Sequence, residues 1–600
     1  MKQPNIFLPT ALLWGAFFIS SSIQAQIPDS LQFDWHKAGL DADFVEPTNI
    51  IDLTTYGAIP NDGIDDAPAL QAAFSNLGPN GAIIQLPNGT INFSSSINMP
   101  SNCILRGYGA DSTLLSFNLN NQVANCINFW GSATGTWFPL QGDLSRDSIA
   151  IRVSGNFSNV LIPGKRIEIR QQNGSWDTNP ATWANGSVGH ITTIDSVKGD
   201  TIFMREPLRI SLDTLLSPEV RIINCVENSG LECVKIIRTD STAASVNFAI
   251  YTYFAYNCRI RGVESFKSIG AHFLAEISSH IEVSGCYFHE AYGYTGSNTR
   301  GYGAVVGVHS TLCKIENNIF RKLRHSMMVK QGANGNVFAY NYSIEPNRSE
   351  FPSNYGADIC VHGHYPFANL FEGNICQNII IDQAWGPNGP NNAYFRNRAE
   401  LYGFIISSGT VQSDKQTIVG NDITSTAFFQ GQYTLNGIGH FQMANRVQGN
   451  VTPAGTNQLS ESSLFLNSPP VYWGNLPWPG IGIPFTSASQ SIPAAIRYNT
   501  AGSKTICGDP DTLFSSVQDP IPASVPIAYF AADGLYVDQH ESQLNVQISL
   551  YDLSGRCVFK RDDLSSIRFP IYMDIPSGVY VLRYSADGKT MRRKLVKLDD

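Results

Sequence analysis

The chain has 600 residues, of which 43% are hydrophobic and 15% are charged, and its formal net charge is −9. This composition is typical of an ordered globular chain with an ample core. The acidic balance provides no whole-chain attraction to nucleic acid or to an anionic membrane, so we exclude both as general partners.

The first 25 residues have the pattern of a secretory signal peptide. Lys2 precedes an apolar run from Ile6 to Ile19, and a short polar stretch leads to a cleavage site after Ala25. A retained anchor helix is the alternative, but the run is shorter than a membrane span. We therefore expect export without membrane insertion.

A short helix is expected to close the start of the fold. Asp66 can cap this helix, and its first turn tolerates Pro68. The apolar residues of the helix share one side: Leu70, Ala73, Phe74 and Leu77. We interpret residues 26–127 as this cap and the first coils of a strand-rich solenoid.

Several short motifs follow one another in this region. They are Ile51-Asp52, Gly57-Ala58, Asp62-Gly63, Asp65-Asp66, Ala69-Leu-Gln-Ala-Ala73, Pro87-Asn-Gly89 and Leu105-Arg-Gly-Tyr-Gly109. Their order resembles the entry module of the pectate-lyase superfamily of right-handed parallel β-helices. The resemblance implies the fold and a carbohydrate ligand, but it leaves the reaction open because that superfamily includes lyases, hydrolases and non-catalytic binders.

Three neighbouring acids, Asp62, Asp65 and Asp66, offer a calcium site or a catalytic pair. Turns and helix starts use the same residue types for backbone hydrogen bonds. We favour the turn and cap roles, keep Ca²⁺ as an open cofactor and expect no other.

Residues 128–222 interrupt the solenoid with alternating strands and long turns, which predict a small antiparallel insert. The expected strands are Ile149–Val153, Arg166–Ile169, His190–Ile194, Thr201–Met204 and Val220–Ile223. Four tryptophans lie in or beside its loops: Trp130, Trp137, Trp176 and Trp183. Such residues either stack on sugar rings or attach the insert to the solenoid, and both interpretations stay open.

A short phrase recurs at intervals of 23 to 33 residues, and each copy ends on Gly or Asn. The copies end at Gly262, Gly285, Asn317, Asn341, Asn374, Asn397, Asn421 and Asn445. Apolar residues four and two positions before most of these anchors indicate a strand. Self-similarity at this period predicts that residues 223–500 form a parallel β-helix, with each coil about 4.8 Å above the last.

The 11 cysteines of an exported chain first suggest disulfides. However, Cys103, Cys258 and Cys313 lie four residues before an anchor, which is an inward position, and the sequence has no CxxC pair. We therefore expect buried cysteines rather than redox or metal sites.

The coils that start at Gly285 and Asn341 are roughly nine residues longer than the coil between them. We expect their loops, 290–302 and 345–364, to form two walls of a cleft with the intervening coil as its floor. Five residues from Arg321 to Lys330 can carry positive charge and none is acidic. A solvated face is the alternative, but we interpret this charge as a site for an anionic ligand such as a uronic-acid polymer.

Cleavage of such a polymer by β-elimination needs a base and groups that neutralise the developing negative charge. His325 or Lys330 is the candidate base, and Arg324 and Arg300 are the candidate neutralisers. Counting from the anchors places Asp382 in the same column as His325, two coils away, which makes it a further catalytic candidate. A structural, hydrogen-bonded role is the alternative for His325.

The phrase Leu323-Arg-His325, followed by Asn336-Val-Phe338, resembles the Arg-His coil of chondroitin- and alginate-type β-helix lyases. The Asn-Lys-Ser segment that completes the pair in those enzymes has no match here. Further candidates for substrate contact are Arg300, Tyr292, Tyr294, Tyr302, Arg321, Asp358, His362, His364 and Trp385.

A hydrolase would instead need two carboxyl groups roughly 5 to 9.5 Å apart. Candidates near the cleft are Asp358, Asp382, Glu345, Glu350 and Glu290. Glu372 stands at a nominally inward position, which we attribute to a one-residue slip around Phe371 rather than to a buried acid with a raised pKa. Asp358, His362 and His364 resemble metal ligands in residue type, but no third ligand has a defining spacing and we predict no metal site.

A linker at 501–526 precedes a different pattern. From residue 527 to 600, alternating strands around tight Gly turns predict a small β-sandwich. Its motifs Tyr551-Asp-Leu-Ser-Gly-Arg556, Ile575-Pro-Ser-Gly-Val-Tyr-Val-Leu582 and Lys594-Leu-Val-Lys-Leu598 resemble the C-terminal sorting domain of the bacterial type IX secretion system. That resemblance implies a Bacteroidetes-like exporter and contact with its secretion machinery, and a sugar-binding sandwich is the alternative.

The sequence thus predicts an all-β, secreted or cell-surface monomer that cleaves an acidic polysaccharide by elimination. A polygalacturonase-like hydrolase with paired carboxylates and a non-catalytic polysaccharide-binding protein are the alternatives.

Overall fold

The computed structural model describes residues 27–244, 246–296, 300–382, 385–407, 413–484 and 490–507. It also describes the segments 527–531, 534–538, 546–552, 556–564, 568–571, 578–586 and 589–597. The chain divides into two compact units, residues 1–510 and 511–600. The predicted signal peptide and most of the predicted linker lie outside the described residues.

The first unit is a right-handed parallel β-helix, as the repeat predicts. Its first sheet has 13 strands. They are Ile50–Asp52, Ala82–Gln85, Cys103–Arg106, Val226–Glu227, Gly230–Glu232, Ala255–Arg261, Ser279–Ser284, Lys314–Glu316, Val337–Ala339, Leu370–Glu372, Ala393–Phe395, Thr417–Val419 and Phe441–Met443. Neighbours in this sheet are parallel and come from successive coils, so it forms the first face of the solenoid.

A second sheet of 20 strands bends around a corner and supplies the other two faces. The second face contains Gly89–Phe93, Thr113–Phe117, Lys235–Arg238, Glu264–Ser268, Tyr287–Ala291, Ile319–Arg321, Tyr342–Ile344, Asp422–Ile423, Asn445–Val447 and Asn450–Thr452. The third face contains Ile97–Asn98, Ile127–Trp130, Phe248–Tyr253, Ala271–Glu276, Tyr302–Gly307, His325–Val329, Ala357–His362 and Gln432–Thr434. Ile375–Asp382 and Arg398–Ile406 run through the corner and pair on both faces.

Asparagine side chains form two hydrogen-bonded ladders inside the solenoid. Each Nδ2 donates to the Oδ1 of the next coil at 2.9 to 3.0 Å. The longer ladder is Asn318, Asn341, Asn374, Asn397, Asn421 and Asn445, and the shorter is Asn336, Asn369 and Asn392. The ladder therefore begins at Asn318, not at the predicted anchor Asn317, which instead accepts a hydrogen bond from Arg497 at 2.9 Å.

Relative to the predicted anchors, the inward positions shift by one residue from the coil that ends at Asn341 onward. Ile315, Phe338, Phe371 and Tyr394 lie in the interior core, and rings in successive coils stack, with centroids 5.1 Å apart for Phe338 and Phe371. Val337 and Ala339, expected to point inward, therefore lie on the outer side of the first face.

The cysteine prediction is confirmed for three residues and incomplete for another pair. Cys103, Cys258 and Cys313 are in the interior core. Cys233 and Cys507 form a disulfide across 274 residues of sequence, which the expectation of buried, unpaired cysteines missed. Neither cysteine belongs to an anchor phrase, so the repeat could not identify them.

Two α-helices are described, Ala67–Ser75 and Pro493–Asn499, with short 3-10 helices at Asp29–Leu31, Trp35–Lys37, Leu53–Tyr56, Thr182–Ala184, Thr214–Leu216 and Val471–Trp473. The first α-helix covers the first coil and packs Leu70 and Ala73 on the interior core, as predicted. Asp66 occupies the N-cap position, as predicted, but its carboxylate does not bond to the first turn of the helix and instead accepts hydrogen bonds from the backbone of Ile59 and Asn92. No described helix is long and apolar enough to cross a membrane.

The insert is a seven-stranded antiparallel sheet. Its strands are Ser132–Ala133, Phe138–Gln141, Ala150–Val153, Arg166–Arg170, Gly189–Lys198, Thr201–Met204 and Glu219–Asn224. Phe367 and Ala368 of the solenoid pack into its core. A buried hydrogen bond adds to this contact, with His309 Nδ1 2.7 Å from Glu168 Oε1. The insert is thereby fixed against the flank of the solenoid.

Residues 453–484 and 490–507, here called the covering segment, run back along the outside of the first face. Leu464 donates its N–H to Glu372 Oε2 at 2.8 Å, and Tyr340 donates its hydroxyl to Glu372 Oε1 at 2.8 Å. Phe371 is interior and Glu372 points outward, so the predicted slip is correct. Burial under the covering segment also raises the pKa of Glu372 to about 7, so the rejected alternative of a buried acid applies as well.

Glu372 should make the stability of the first unit depend on pH. Because the folded state favours the protonated carboxyl, Glu372 stabilises the fold in full below its ordinary pKa near 4.5. This stabilisation is lost as pH rises through about 7. We expect the wild type to lose roughly 2 to 3 kcal/mol of unfolding free energy relative to Glu372→Gln between about pH 5 and about pH 8. Denaturant titrations of both proteins measure this, and parallel pH profiles would contradict it.

The second unit contains two antiparallel sheets. One has the three strands Ile527–Ala531, Gly534–Asp538 and Arg568–Ile571, and the other has the four strands Val546–Asp552, Cys557–Leu564, Gly578–Ala586 and Lys589–Lys597. Ile548, Leu550 and Leu582 are buried. This is the small β-sandwich that the alternating pattern predicts.

Candidate functional site

A groove lies on the outer side of the third face. Alternate residues of its strands belong to the interior core: Phe273, Ala304, Met327, Ile359 and Ile379. The residue after each of these points outward, and these neighbours form an apolar row in cross-strand register: Leu274, Val305, Met328, Cys360 and Ile380. This row is the floor of the groove.

A polar row runs beside the apolar row, two residues further along each strand. It consists of Glu276, Gly307, Lys330, His362 and Asp382. Strand pairing aligns Glu276 with Gly307 and His362 with Asp382, and Lys330 follows Val329 between those pairs. These positions occupy five successive rungs, about 4.8 Å apart.

Gly307 lets two charged residues of the polar row meet. Lys330 extends across Gly307 and places Nζ 3.3 Å from Glu276 Oε1. A Cβ at position 307 would lie 3.0 Å from Lys330 Cε, so a side chain there would obstruct the ion pair. The Tyr251 hydroxyl also donates to Glu276, at 3.0 Å. The lysine is thus held extended along the floor of the groove.

His362 and Asp382 form a dyad at the other end of the polar row. Nδ1 of His362 lies 2.6 Å from Oδ2 of Asp382. In the neutral imidazole, this hydrogen bond places the proton on Nδ1 and leaves the lone pair on Nε2. Both side chains are partly exposed, at 14% and 23%. The dyad can therefore accept a proton from a ligand in the groove.

The groove has a volume of about 790 Å³. Its lining includes three residues of the apolar row and four of the polar row: Leu274, Val305, Met328, Glu276, Lys330, His362 and Asp382. The insert contributes Trp183 to one side. Trp183 meets Trp385 edge to face at a centroid distance of 5.8 Å, and Gln331 donates to the Trp183 carbonyl at 3.1 Å. Trp130, Asn125 and Asn128 line the end nearer the first coils.

The four tryptophans of the insert region divide between the two roles left open by the sequence. Trp130 and Trp183 line the groove and are 55% and 54% exposed. Trp137 instead packs under Arg170, whose guanidinium carbon lies 3.9 Å from the centroid of the Trp137 ring. Trp176 packs on Tyr365, with ring centroids 4.4 Å apart. The first pair is available to a ligand, and the second pair attaches or stabilises the insert.

The two long loops do not face each other across the groove, contrary to the expectation of two opposing walls. They contact each other, with Ser349 donating to the Tyr294 carbonyl at 3.1 Å and Gly296 donating to Glu350 at 2.6 Å. Gly296 and Arg324 line one edge of the groove. The loops form one rim together, and the insert forms part of the opposite side.

His325 points outward from the third face but is buried beside the groove. It pairs in register with Tyr302 and Ala357, and its ring lies 4.8 Å from Tyr302 and 5.6 Å from His362. Only 6% of the residue is exposed. Burial, with Arg324 and His362 nearby, holds the pKa of His325 well below its usual value. Asp382 aligns with His362, so the predicted column of His325 and Asp382 is wrong.

Asp358 points into the solenoid and cannot contact a ligand in the groove. Its carboxylate accepts hydrogen bonds from Ser343 at 2.6 Å and from the backbone of Gln377 and Asn378 at 2.9 and 2.8 Å. Burial raises the pKa of Asp358 to about 6. The prediction that Asp358 contacts substrate together with His362 and His364 is therefore wrong, because Asp358 lies on the other side of the sheet from the two histidines.

The other predicted residues divide between the groove and the surrounding loops. Lys330, Arg324, Asp382, Tyr302, His362, His364 and Trp385 line the groove. Arg300 donates to backbone carbonyls at 242–244, Arg321 pairs with Glu290 and Glu345, Tyr292 donates to the Arg238 carbonyl and the Tyr294 hydroxyl accepts from Ala291. This second group supports the loops around the groove.

Sequence reasoning missed three positions of the two rows: Glu276, Gly307 and Cys360. Glu276 lies on a regular coil without a long loop, so loop length could not identify it. Gly307 and Cys360 lie on the two long coils, where the count from the anchors did not place them in the rows. Aligning the third-face strands directly, instead of counting from the anchors, would have placed all three in the two rows.

Two groups of described residues could hold a metal ion. Cys360, His362 and Asp382 form one group, and Asp41, Glu206 and His280 form the other. The predicted acids Asp62 and Asp65 instead accept hydrogen bonds from local backbone N–H groups, which supports their interpretation as turn residues.

The fold and the groove define a right-handed parallel β-helix with a long, partly aromatic cleft on one face. No family model matches the chain. A pre-neck appendage protein of Bacillus phage B103 is 28% identical over 109 residues, which are 17% of this chain and 12% of that protein.

Solved structures with similarity include the tailspike protein gp49 from Pseudomonas phage LKA1, with a TM-score of 0.47, 14% identity and coverage of 62% of this chain and 64% of that chain. A tailspike variant of E. coli bacteriophage HK620 in complex with a hexasaccharide has a TM-score of 0.41 and 14% identity, and the match covers 66% of this chain and 61% of that chain. The A-module of the mannuronan C-5 epimerase AlgE4 of Azotobacter vinelandii has a TM-score of 0.34 and 10% identity, and the match covers 66% of this chain and 92% of that chain.

Proposed function

We propose that the protein is a carbohydrate-active enzyme that cleaves an acidic polysaccharide by β-elimination in this groove. The observation that carries the proposal is the His362–Asp382 dyad one rung from Lys330 on the floor of the groove. A uronate unit bound there would have its carboxylate near a cation and its acidic carbon–hydrogen bond near a base.

The proposed reaction needs only groups that this groove contains. Nε2 of His362 takes the proton beside the uronate carboxylate, and the bonding electrons form the carbon–carbon double bond as the glycosidic oxygen leaves. The imidazolium returns its proton to that oxygen, so charge and atoms balance. Lys330 stabilises the negative charge that develops on the carboxylate, and Asp382 stabilises the imidazolium. This proposal moves the role of base from the predicted candidates, His325 or Lys330, to His362.

The spacing of carboxylates supports elimination over hydrolysis. Glu276 and Asp382 are the carboxylates among the described residues that line the groove, and four rungs of about 4.8 Å separate them by about 19 Å. A glycosidase pair requires roughly 5 to 9.5 Å. Binding without cleavage is the second candidate function, and the exposed rings of Trp130, Trp183 and Trp385 favour it.

The electrostatic role of Lys330 can be tested by removing its charge and, separately, by releasing it from its ion pair with Glu276. Lys330→Met should weaken binding of a uronate oligosaccharide by roughly tenfold or more, because the unpaired Glu276 then repels the ligand. Glu276→Gln should strengthen binding, because it releases Lys330 from its ion pair. Calorimetric titration with uronate and neutral oligosaccharides of equal length measures both effects, and equal changes for the two ligands would contradict an electrostatic role.

The enzymatic proposal is tested by incubating the purified protein with a panel of acidic and neutral polysaccharides. Unsaturated products that absorb in the ultraviolet indicate elimination. New reducing ends without that absorbance indicate hydrolysis, and binding without either indicates a recognition protein.

We also infer that the protein is exported and that the second unit is a type IX secretion sorting domain. The support is the N-terminal pattern and the motifs at Tyr551–Arg556 and Ile575–Leu582. Localisation at the cell surface or outside the cell follows from that inference.

A further inference from the structure

Three different donor atoms converge on the floor of the groove. Cys360 Sγ lies 3.9 Å from His362 Nδ1 and 3.9 Å from Asp382 Oδ2, and the latter two atoms are 2.6 Å apart. The three atoms thus form a compact triangle of sulfur, nitrogen and oxygen.

Local geometry explains the convergence. Cys360 and His362 are two residues apart on the strand Ala357–His362, so both side chains point to the same face. Asp382 pairs directly with His362 on the next coil, and Cys360 pairs with Ile380. Both strands lie between further paired strands, so the backbones that carry the three donors are held at fixed spacing.

We propose that Cys360, His362 and Asp382 bind a divalent transition-metal ion of the Zn²⁺ type. Ligand atoms around a tetrahedral Zn²⁺ with ordinary bond lengths lie about 3.4 to 3.6 Å apart. The two sulfur distances of 3.9 Å are close to that value, and the dyad must open by about 0.8 Å to admit the ion. A thiolate, an imidazole and a carboxylate together favour Zn²⁺ over Ca²⁺ or Mg²⁺, which prefer oxygen ligands.

The surroundings leave a place for a fourth ligand. His362 and Asp382 are partly exposed to the groove, so water or a ligand oxygen can complete the coordination. The buried Nε2 of His325 has no hydrogen-bond partner among the described residues, and the His325 ring lies 5.6 Å from that of His362. Lys330, the nearest cation in the polar row, is held by Glu276, which limits its repulsion of the ion.

Metal binding would oppose the proposed reaction. The ion would occupy His362 Nδ1 and Asp382 Oδ2, whose mutual hydrogen bond orients the base. Zn²⁺ should therefore inhibit elimination, a consequence that rests on the proposed function. The binding itself does not depend on that function.

The experiment uses the metal-free full chain and Co²⁺ as a spectroscopic probe. A thiolate-to-cobalt charge-transfer band should appear at one equivalent of Co²⁺ and should disappear when Zn²⁺ replaces it. Cys360→Ser should abolish the band and weaken Zn²⁺ binding at least tenfold. Cys557→Ser, which removes the exposed cysteine of the second unit, is the matched control and should change neither.

If Cys360→Ser does not fold, Asp382→Asn and His362→Gln carry the same test. Each should keep the cobalt–thiolate band but weaken Zn²⁺ binding at least tenfold. Absence of the band in the wild type, or unchanged Zn²⁺ affinity in every groove variant, would overturn the site. Zn²⁺ binding at Cys360 in a protein that cleaves no polysaccharide would leave the site standing and would reject only the proposed function.

Discussion

His362→Gln should lower the rate of elimination by roughly 100- to 10,000-fold, the range in which a general base contributes to catalysis. Glutamine keeps a hydrogen-bond donor for Asp382 but has no nitrogen that accepts a proton. Because the side chain stays polar and of similar length, affinity for a uronate oligosaccharide should change by less than about threefold. Initial rates from ultraviolet absorbance, together with calorimetric affinities, measure the two effects separately.

Two further variants identify the source of this loss. Asp382→Asn should lower the rate to a similar extent, because an amide that donates to Nδ1 places the imidazole proton on Nε2. His325→Gln should retain most of the activity, because His325 is buried beside the groove and Asp382 is aligned with His362. A loss in His325→Gln that equals the loss in His362→Gln would return the role of base to His325.

Asn374→Ala should reduce the free energy of unfolding of the first unit by roughly 3 to 6 kcal/mol. Its Nδ2 donates to the Phe338 carbonyl at 2.8 Å and to Asn397 Oδ1 at 2.9 Å. Its Oδ1 accepts from both the backbone and the side chain of Asn341, each at 3.0 Å. Alanine would leave several buried polar groups without partners, and each costs about 1 to 3 kcal/mol.

The matched control for the ladder is Asn450→Ala. Asn450 is exposed and lies in the last strand of the second face, so its loss should change stability by less than about 0.5 kcal/mol. Denaturant titration followed by tryptophan fluorescence compares the two variants. Equal, small effects would mean that the ladder contributes little beyond the backbone pairing.

The repeat predicts the fold because each coil must present the same turn and the same inward residues to its neighbours. Asn374, Asn397, Asn421 and Asn445 have the spacing that a ladder requires, and the structure confirms them. The prediction failed at Asn317, where Asn318 next to it is equally compatible with the spacing. Local sequence cannot choose between adjacent asparagines, because the choice depends on packing against the next coil.

The candidate site was predictable in part. The basic residues Arg324 and Lys330 lie in the groove, as the local excess of positive charge in a chain of net negative charge suggested. The pairing of Asp382 with His362 was not found, because loops of unequal length and the bend through Ile375–Asp382 shift the count from the anchors. Trp183 reaches the groove from an insert far away in sequence, and such long-range contacts leave no local periodicity.

The disulfide between Cys233 and Cys507 is a second long-range contact that the sequence did not predict. Its partners are 274 residues apart, and they meet because the covering segment returns along the first face. The direction of that return depends on contacts such as Leu464 with Glu372, which no repeat in the solenoid encodes.

Since each coil contributes a single position to the polar row and a single position to the apolar row, the reach of the groove is counted in whole coils. Duplicating or deleting one coil would add or remove about 4.8 Å of ligand contact without altering the remaining rungs. Point substitutions can therefore adjust how strongly one sugar unit is held, whereas the number of units that are held at once changes only by gain or loss of an entire turn of the solenoid.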